Sequence, residues 1–196
     1  MKKLIAILMS LMLILSVASA EAVLSKTTTD MTEVKDVVVE NLPADSTFSI
    51  AVVDHEEAVA VANTEIAKLV EAVQTTNVVT YFGEVTDTQG NAVSLTEVLG
   101  TETLNVHELM PIEVNDYEET YGKVNMTFTV STPYAKDEQI IVLLGLVTVE
   151  ADGTQTVAWT AYEAVIVEEG AIQVEFEPET LKLIQEGTAL IAIVSK

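Results

Sequence analysis

The sequence predicts a mainly β protein, an immunoglobulin-like antiparallel β-sandwich with an N-terminal β-β-α segment. Residues 140–147 are apolar at every position except Gly145, which is typical of a central strand covered on both faces. Strand-like runs separated by turn residues then recur through the second half of the chain. One long stretch with helical spacing, which ends near residue 74, precedes most of them. Together these patterns indicate a sheet protein with one covering helix.

Residues 1–20 have the pattern of a cleavable export signal. Two lysines form a positive start, residues 4–17 are almost wholly apolar, and residues 18–20 form a small-residue cleavage site before Glu21. A membrane anchor is the alternative, but this apolar stretch is shorter than the roughly 20 residues that a bilayer requires. The chain has no cysteine to carry a lipid. The sequence therefore predicts a secreted, extracellular protein that is not inserted in a membrane after cleavage.

Residues 21–75 are predicted to form the N-terminal strand-strand-helix segment. Two strand-like runs are joined by a turn around Pro43, which cannot donate to a ladder. Asp54 and Glu57 then form a capping box, and apolar residues recur at helical spacing as far as Gln74. The two runs are residues 34–39 and 48–53.

Residues 76–196 are predicted to form the sandwich. A single helical turn begins at Ser94 and ends at Gly100, and a second short helix lies between Pro178 and Gly187. Hairpin turns join many of the strands. The predicted strands are residues 77–85, 104–109, 123–130, 140–147, 154–167, 171–176 and 189–194.

The charge of the chain restricts its partners. It contains 31 acidic residues against 9 basic ones, and its formal net charge is −22 at pH 7. Loss of the two lysines in the signal would make this about −24. Such a chain repels nucleic acid and anionic polymers. We therefore expect an unknown protein or glycan partner that is cationic, neutral or bound through a bridging Ca²⁺. We expect the protein itself to be a monomer.

No catalytic residue is predicted. Two histidines, His55 and His107, lie about fifty residues apart with no cysteine, which is a poor supply of ligands for zinc. His55 lies at the predicted helix start, where the neighbouring acids also suit the positive end of the helix dipole. No serine stands in a Gly-x-Ser-x-Gly elbow, and the chain has no arginine to clamp a phosphate. Paired carboxylates occur too readily among 31 acids to identify a glycosidase.

Calcium is the one metal for which the sequence offers ligands. If the strands run up and down in sequence, acidic loops at residues 115–119, 150–152 and 177–179 fall at the same end of the sandwich. Three converging loops could supply the six or more oxygens that Ca²⁺ prefers, although none has EF-hand spacing. Solvated surface acids are the alternative. The candidate ligands are Asp116, Glu118, Glu119, Glu150 and Asp152.

Aromatic residues are the other candidates for ligand contact. Tyr117 and Tyr121 lie at one end of the strand that begins near residue 123, and Tyr134 follows its other end, too far away for one sugar-stacking platform. Trp159 alternates with Val157 and is predicted to be a core residue rather than part of a platform.

Several stretches resemble small secreted immunoglobulin-like proteins of Gram-positive gut bacteria. These stretches are residues 121–132, the apolar strand, residues 159–163 and residues 176–193. The motifs are turn and core residues, and the group has no assigned activity. The resemblance implies a fold and no chemistry.

The sequence thus predicts an exported, non-catalytic binding or structural module at or outside the bacterial cell surface. Two alternatives stay open. One is a secreted enzyme or enzyme inhibitor that uses carboxylates, and the other is a Ca²⁺-dependent binder of a glycan or protein.

Overall fold

The computed structural model describes residues 33–52, 56–75, 77–130 and 134–196. Within these residues the fold is mainly β, with ten strands and four α-helices. The strands are β1 Glu33–Val39, β2 Ser49–Ala51, β3 Val85–Thr86, β4 Ala92–Val93, β5 Asn105–Asn115, β6 Val124–Thr129, β7 Ile140–Val149, β8 Gln155–Glu168, β9 Ala171–Phe176 and β10 Thr188–Ser195. The helices are α1 Glu56–Gln74, α2 Val78–Phe82, α3 Leu95–Leu99 and α4 Pro178–Glu186.

Eight strands follow one another in a single antiparallel sheet that curls into a nearly closed barrel. Their order is β1-β6-β9-β8-β7-β10-β5-β2. The long strand β8 turns the corner: its first part pairs with β7 and its last part pairs with β9, with a bulge near Ile166. The short hairpin β3–β4 adds on through a parallel contact between β3 and β8.

This topology confirms the mainly β, antiparallel prediction, but it does not confirm the immunoglobulin-like sandwich. A sandwich needs two separate sheets, whereas these eight strands form one continuous path. The N-terminal β-β-α segment is not confirmed as a unit either. β1 pairs with β6 and β2 pairs with β5, and no ladder joins β1 to β2 within the described residues.

The barrel interior is filled by apolar side chains. Inward positions alternate along the strands, as the period of two predicts: Val124, Met126 and Phe128 of β6 are fully buried there. α4 closes one end of the barrel, because Leu181 and Ile184 insert into the same core. Its bounds confirm the helix predicted between Pro178 and Gly187.

A second core lies outside the barrel, between the sheet and helices α1–α3. β7 contributes to both cores, with Val142 facing the interior and Leu143 facing the helices, so the prediction of a strand buried on both faces is confirmed. Trp159 is 3% exposed in this second core, which confirms it as a core residue. Val61 and Leu69 of α1 lie against it.

Two predicted strands are corrected. Residues 78–82 form helix α2 instead of a strand, because Val78 and Phe82, one helical turn apart, are both buried while Val79 between them is exposed. The sequence also predicts that the strand at residues 104–109 ends before Pro111, whereas β5 continues through that proline to Asn115. Pro111 lies opposite Leu190 in the ladder with β10 and is itself buried.

Other local predictions are confirmed. α1 ends at Gln74 as predicted, and α3 begins after Ser94, whose side chain accepts a hydrogen bond from the Glu97 amide. Gly100 ends α3 in the left-handed conformation that glycine favours. None of the described helices is long and apolar enough to cross a membrane. Residues 1–20, Asp54 and His55 lie outside the described residues.

Candidate functional site

One side of the barrel carries no covering helix within the described residues. It consists of the outward side chains of β1, β6, β9 and the last part of β8, and we call it the open wall. The other side, formed by β5, β10, β7 and the first part of β8, lies under α1–α3. The outward side chains of the open wall are Asp36, Val38, Asn125, Thr127, Gln173, Glu175, Val165 and Val167.

The cross-strand register sets the pattern of the open wall. Asp36, Thr127, Gln173 and Val165 lie side by side on four successive strands, so they form one row across it. The Gln173 amide donates to Thr127 Oγ1 at 3.4 Å within this row. Val165 is 61% exposed and Val38, in the next row, is 55% exposed. The surface therefore mixes exposed valines with the half-buried amides of Asn125 and Gln173, whereas Thr127 is buried.

Ion pairs occur at the margins of the open wall. Lys35 pairs with Glu168, and Lys123 donates to Glu175 at 2.8 Å and to Glu177 at 2.7 Å. The hydrogen bonds that Lys123 donates to Glu175 and Glu177 raise the pKa of this lysine above its usual value. All of these groups are solvent-exposed, so the pairs contribute little stability. They pair Lys35 and Lys123 with acids, so Asp36 is the one charged side chain of the open wall without an ion pair among the described residues.

A buried polar cluster lies at the end of the barrel opposite α4. His107 Nε2 is 2.8 Å from the Ser195 hydroxyl, and the His107 ring meets Tyr134 edge-on with a centroid separation of 5.1 Å. Burial lowers the pKa of His107 below its usual 6.5, although the Glu138 carboxylate opposes the shift. A histidine bonded to a serine can act as a base toward a nucleophile. Ser195, however, is only 1% exposed, so this pair is placed to stabilise the barrel end.

A second polar cluster ties α2 to α1. Glu65 is 3% exposed, and its two carboxylate oxygens accept from Lys68 Nζ at 2.6 Å and from the Tyr81 hydroxyl at 3.0 Å. Burial, followed by the charge of Glu65, raises the pKa of Tyr81. A shallow, open cavity of about 230 Å³ lies beside Lys68 and Tyr81. Since both Glu65 oxygens are hydrogen-bonded within the protein, the cluster is suited to holding α2 against α1.

This cluster was not predicted from the sequence. The available signal is Glu65 itself, which lies between Val61 and Leu69 at helical spacing and so is an acid on the apolar face of α1. A buried acid needs a partner, which could have been sought among nearby hydroxyl and amino groups.

The predicted Ca²⁺ ligands lie on loops that follow β5 and β7. Asp116 accepts from Thr47 Oγ1 at 2.7 Å, Glu119 pairs with Lys182, and Asp152 accepts from the Thr154 amide at 2.9 Å. The alternation of strand directions puts both loops at the same end of the barrel. Within the described residues no group of three or more such side chains converges as a metal site would require. Glu118 and Glu150 complete the candidate set, and this site stays a prediction.

The three tyrosines that the sequence analysis considered for sugar stacking are core residues. Tyr117 and Tyr121 are buried and meet edge-on at 5.8 Å, and Phe48 lies against both. Tyr134 is buried beside His107. None of the three offers an open ring face.

Comparisons of the chain with protein-family models, with curated proteins and with solved structures give no match.

Proposed function

We propose that the protein is an exported, non-catalytic binding or structural module that acts at or outside the bacterial cell surface, and that the open wall is its contact surface. The N-terminal export pattern of residues 1–20 supports the location. The filled barrel supports contact through the outside of the protein, because Phe128, Phe176 and their neighbours occupy the space that an internal ligand would need.

The single observation that carries the proposal is the contrast between the two sides of the barrel. One side is buried under α1–α3, whereas the open wall has no helix among the described residues and presents Val38 and Val165 more than half exposed. An extended sheet surface of valines among asparagine and glutamine can exclude water over its centre and still pair its polar groups with a partner. Such a surface suits a protein partner.

The groups capable of chemistry support the non-catalytic part of the proposal. The His107–Ser195 pair is buried at the barrel end, and both oxygens of Glu65 are bonded to side chains of the same protein. A catalytic base or nucleophile must instead reach a bound substrate.

Export and contact can be tested separately. The full chain, tagged at its C-terminus, is expressed in a Gram-positive host, and the N-terminus of the protein in the medium is sequenced. We expect it to begin at Glu21. Retention of the intact chain in the cell would contradict the proposal.

Contact is tested with a photo-crosslinking residue at Val38 or Val165, using intact cells and culture medium of the organism that produces the chain. The matched control position is Val149, which is 56% exposed at the end of β7, outside the open wall. We expect a discrete adduct from the two wall positions and none from Val149. Equal labelling at all three positions, or no adduct from any, would contradict the assignment of the open wall.

A further inference from the structure

We infer that the partner of the open wall is a protein with a basic, partly apolar face, which places cationic side chains against Asp36 and Glu175. This inference rests on the proposed function, because it takes the open wall as the contact surface. It adds the chemistry of the partner and the residues that recognise it.

The open wall and the ion pairs at its margins carry a surplus of negative charge. They contain two lysines and four acids, which are Asp36, Glu168, Glu175 and Glu177. Lys35 is paired with Glu168, whereas Lys123 is shared between the other two glutamates. Asp36 is exposed and has no ion pair within the described residues. The surplus of two negative charges favours a partner that brings positive charge to this surface.

The cross-strand register places the acids and the exposed valines on opposite diagonals. Asp36 and Val165 lie in one row, and Val38 and Glu175 lie in the next row, two residues along the strands. Given the usual strand spacing and rise per residue, the Cα atoms of Asp36 and Glu175 are roughly 12 Å apart. A complementary surface must therefore alternate cationic and apolar groups over this distance. The side chains of a folded protein can supply such a pattern.

The position of Asp36 makes the charge of the partner decisive. Its carboxylate lies on the same strand face as Val38 and opposite the buried Thr127, so a partner that covers the valines also removes water from this carboxylate. Covering a carboxylate with a neutral or acidic group costs free energy, whereas a cation offsets the loss of water. A second copy of this chain is disfavoured because it brings the same unpaired acid and a further net charge of −22.

The test uses the photo-crosslinking residue at Val165, which lies three strands from Asp36 and stays in place when Asp36 is changed. Asp36→Asn and Asp36→Lys are each combined with it. The matched control is Glu102→Lys, an equal charge reversal at an exposed residue between α3 and β5, on the side that the helices cover. The yield of adduct is measured against protein concentration on intact cells and culture medium of the producing organism. Melting curves confirm that each variant folds.

The two Asp36 variants should weaken the contact by different amounts. We expect the half-saturating concentration for the adduct to rise about threefold in Asp36→Asn and about tenfold or more in Asp36→Lys. Glu102→Lys should change it by at most about twofold. Raising the salt from about 50 mM to about 500 mM should reduce the adduct of the unsubstituted wall, because charge attracts the partner. Mass spectrometry of the adduct should place the crosslink in a partner segment that carries Lys or Arg beside apolar residues.

Several results would overturn the inference. These are equal effects of Asp36→Lys and Glu102→Lys, an adduct that salt does not reduce, or a crosslinked partner segment with net negative charge. An adduct with a second copy of the chain, or with a glycan, would also overturn it by identifying a different occupant. An unchanged adduct from Val165 in Asp36→Lys would remove only this inference, whereas the absence of any adduct from the open wall would remove the proposed contact surface as well.

Discussion

Gly145 of β7 lies directly opposite Trp159 of β8, and a Cβ added to this glycine would come within 2.6 Å of the indole ring and of Val157 Cγ1. Gly145 thus makes room for the one tryptophan of the chain in the core beneath the helices. We expect Gly145→Ala to lower the free energy of unfolding by about 1–3 kcal/mol, because a well-packed core accepts an extra methyl only by shifting side chains. Urea unfolding measures the change.

The companion variant identifies the cause. Val157→Ala removes one of the two groups that the new methyl would meet, so the double variant Gly145→Ala, Val157→Ala should be more stable than the sum of the single effects predicts. Strict additivity would mean that the contact with the Trp159 ring, and not the contact with Val157, makes glycine necessary here.

The Tyr81–Glu65 hydrogen bond should stabilise the packing of α2 on α1. Tyr81→Phe leaves a buried carboxylate oxygen without its donor, and we expect a loss of about 1–3 kcal/mol in chemical unfolding. The double variant Glu65→Leu, Tyr81→Phe removes both partners and should recover most of that loss. A double variant less stable than Tyr81→Phe alone would show that Lys68 and Glu65 form the more important contact.

His107 should make the protein sensitive to mild acid. Its folded pKa lies below the usual 6.5, so the unfolded chain takes up a proton first as the pH falls. The stability that this histidine contributes is therefore present above pH 6.5 and is lost as the pH falls from about 6.5 through the lower folded pKa. Glu138 opposes the loss, and Ser195 and Tyr134 are the other titratable or polar neighbours that contact the ring.

Unfolding midpoints in urea between pH 8 and pH 5 measure this effect. His107→Gln should flatten the decline between pH 6.5 and pH 5, whereas Ser195→Ala should lower stability at every pH and keep the decline. If His107→Gln retains the wild-type slope, the acid sensitivity belongs to other groups.

Local patterns predicted most elements, but they could not predict closure of the sheet. Residues 124–129 alternate inward and outward in a sandwich and in a barrel alike, so the period of two does not distinguish the two folds. Closure depends on pairs distant in sequence, such as Val37 with Met126 and Ile50 with Val114. The strand end predicted before Pro111 was wrong, because the sequence does not distinguish a proline that is tolerated within a ladder from one that ends a strand.

The polar clusters could not be predicted from the sequence for a related reason. His107 and Ser195 are 88 residues apart, and neither belongs to a motif with fixed spacing. The open wall could not be foreseen either, because sequence shows that the outward residues of β6 are polar but not which side of the barrel the helices cover. The strands could be predicted from the local pattern of apolar and polar residues. The open wall could not, because it results from the packing of elements that are distant in sequence.

The predicted calcium site can be tested by melting. Ca²⁺ at about 100 times its dissociation constant would add roughly 2.7 kcal/mol, or several degrees for a chain of this size. If the loops at Asp116 and Asp152 bind the ion, the melting temperature of residues 21–196 should rise more with Ca²⁺ than with Mg²⁺ at equal ionic strength. An equal response to both ions would mean that these carboxylates are a screened, solvated surface.

Asp152→Asn and Asp87→Asn are a matched pair for this experiment. Asp87 accepts hydrogen bonds from the Asn91 side chain and from the backbone amides of Asn91 and Gln89, and these bonds hold its pKa below the usual value. The bond from the Thr154 amide likewise lowers the pKa of Asp152. Each variant should therefore weaken its turn in chelator. Only Asp152→Asn should also reduce the Ca²⁺-specific rise, because Asp87 lies in the β3–β4 turn and outside the predicted site. If the Ca²⁺-specific rise in melting temperature remains in both Asp152→Asn and Asp116→Asn, the ion binds to other carboxylates.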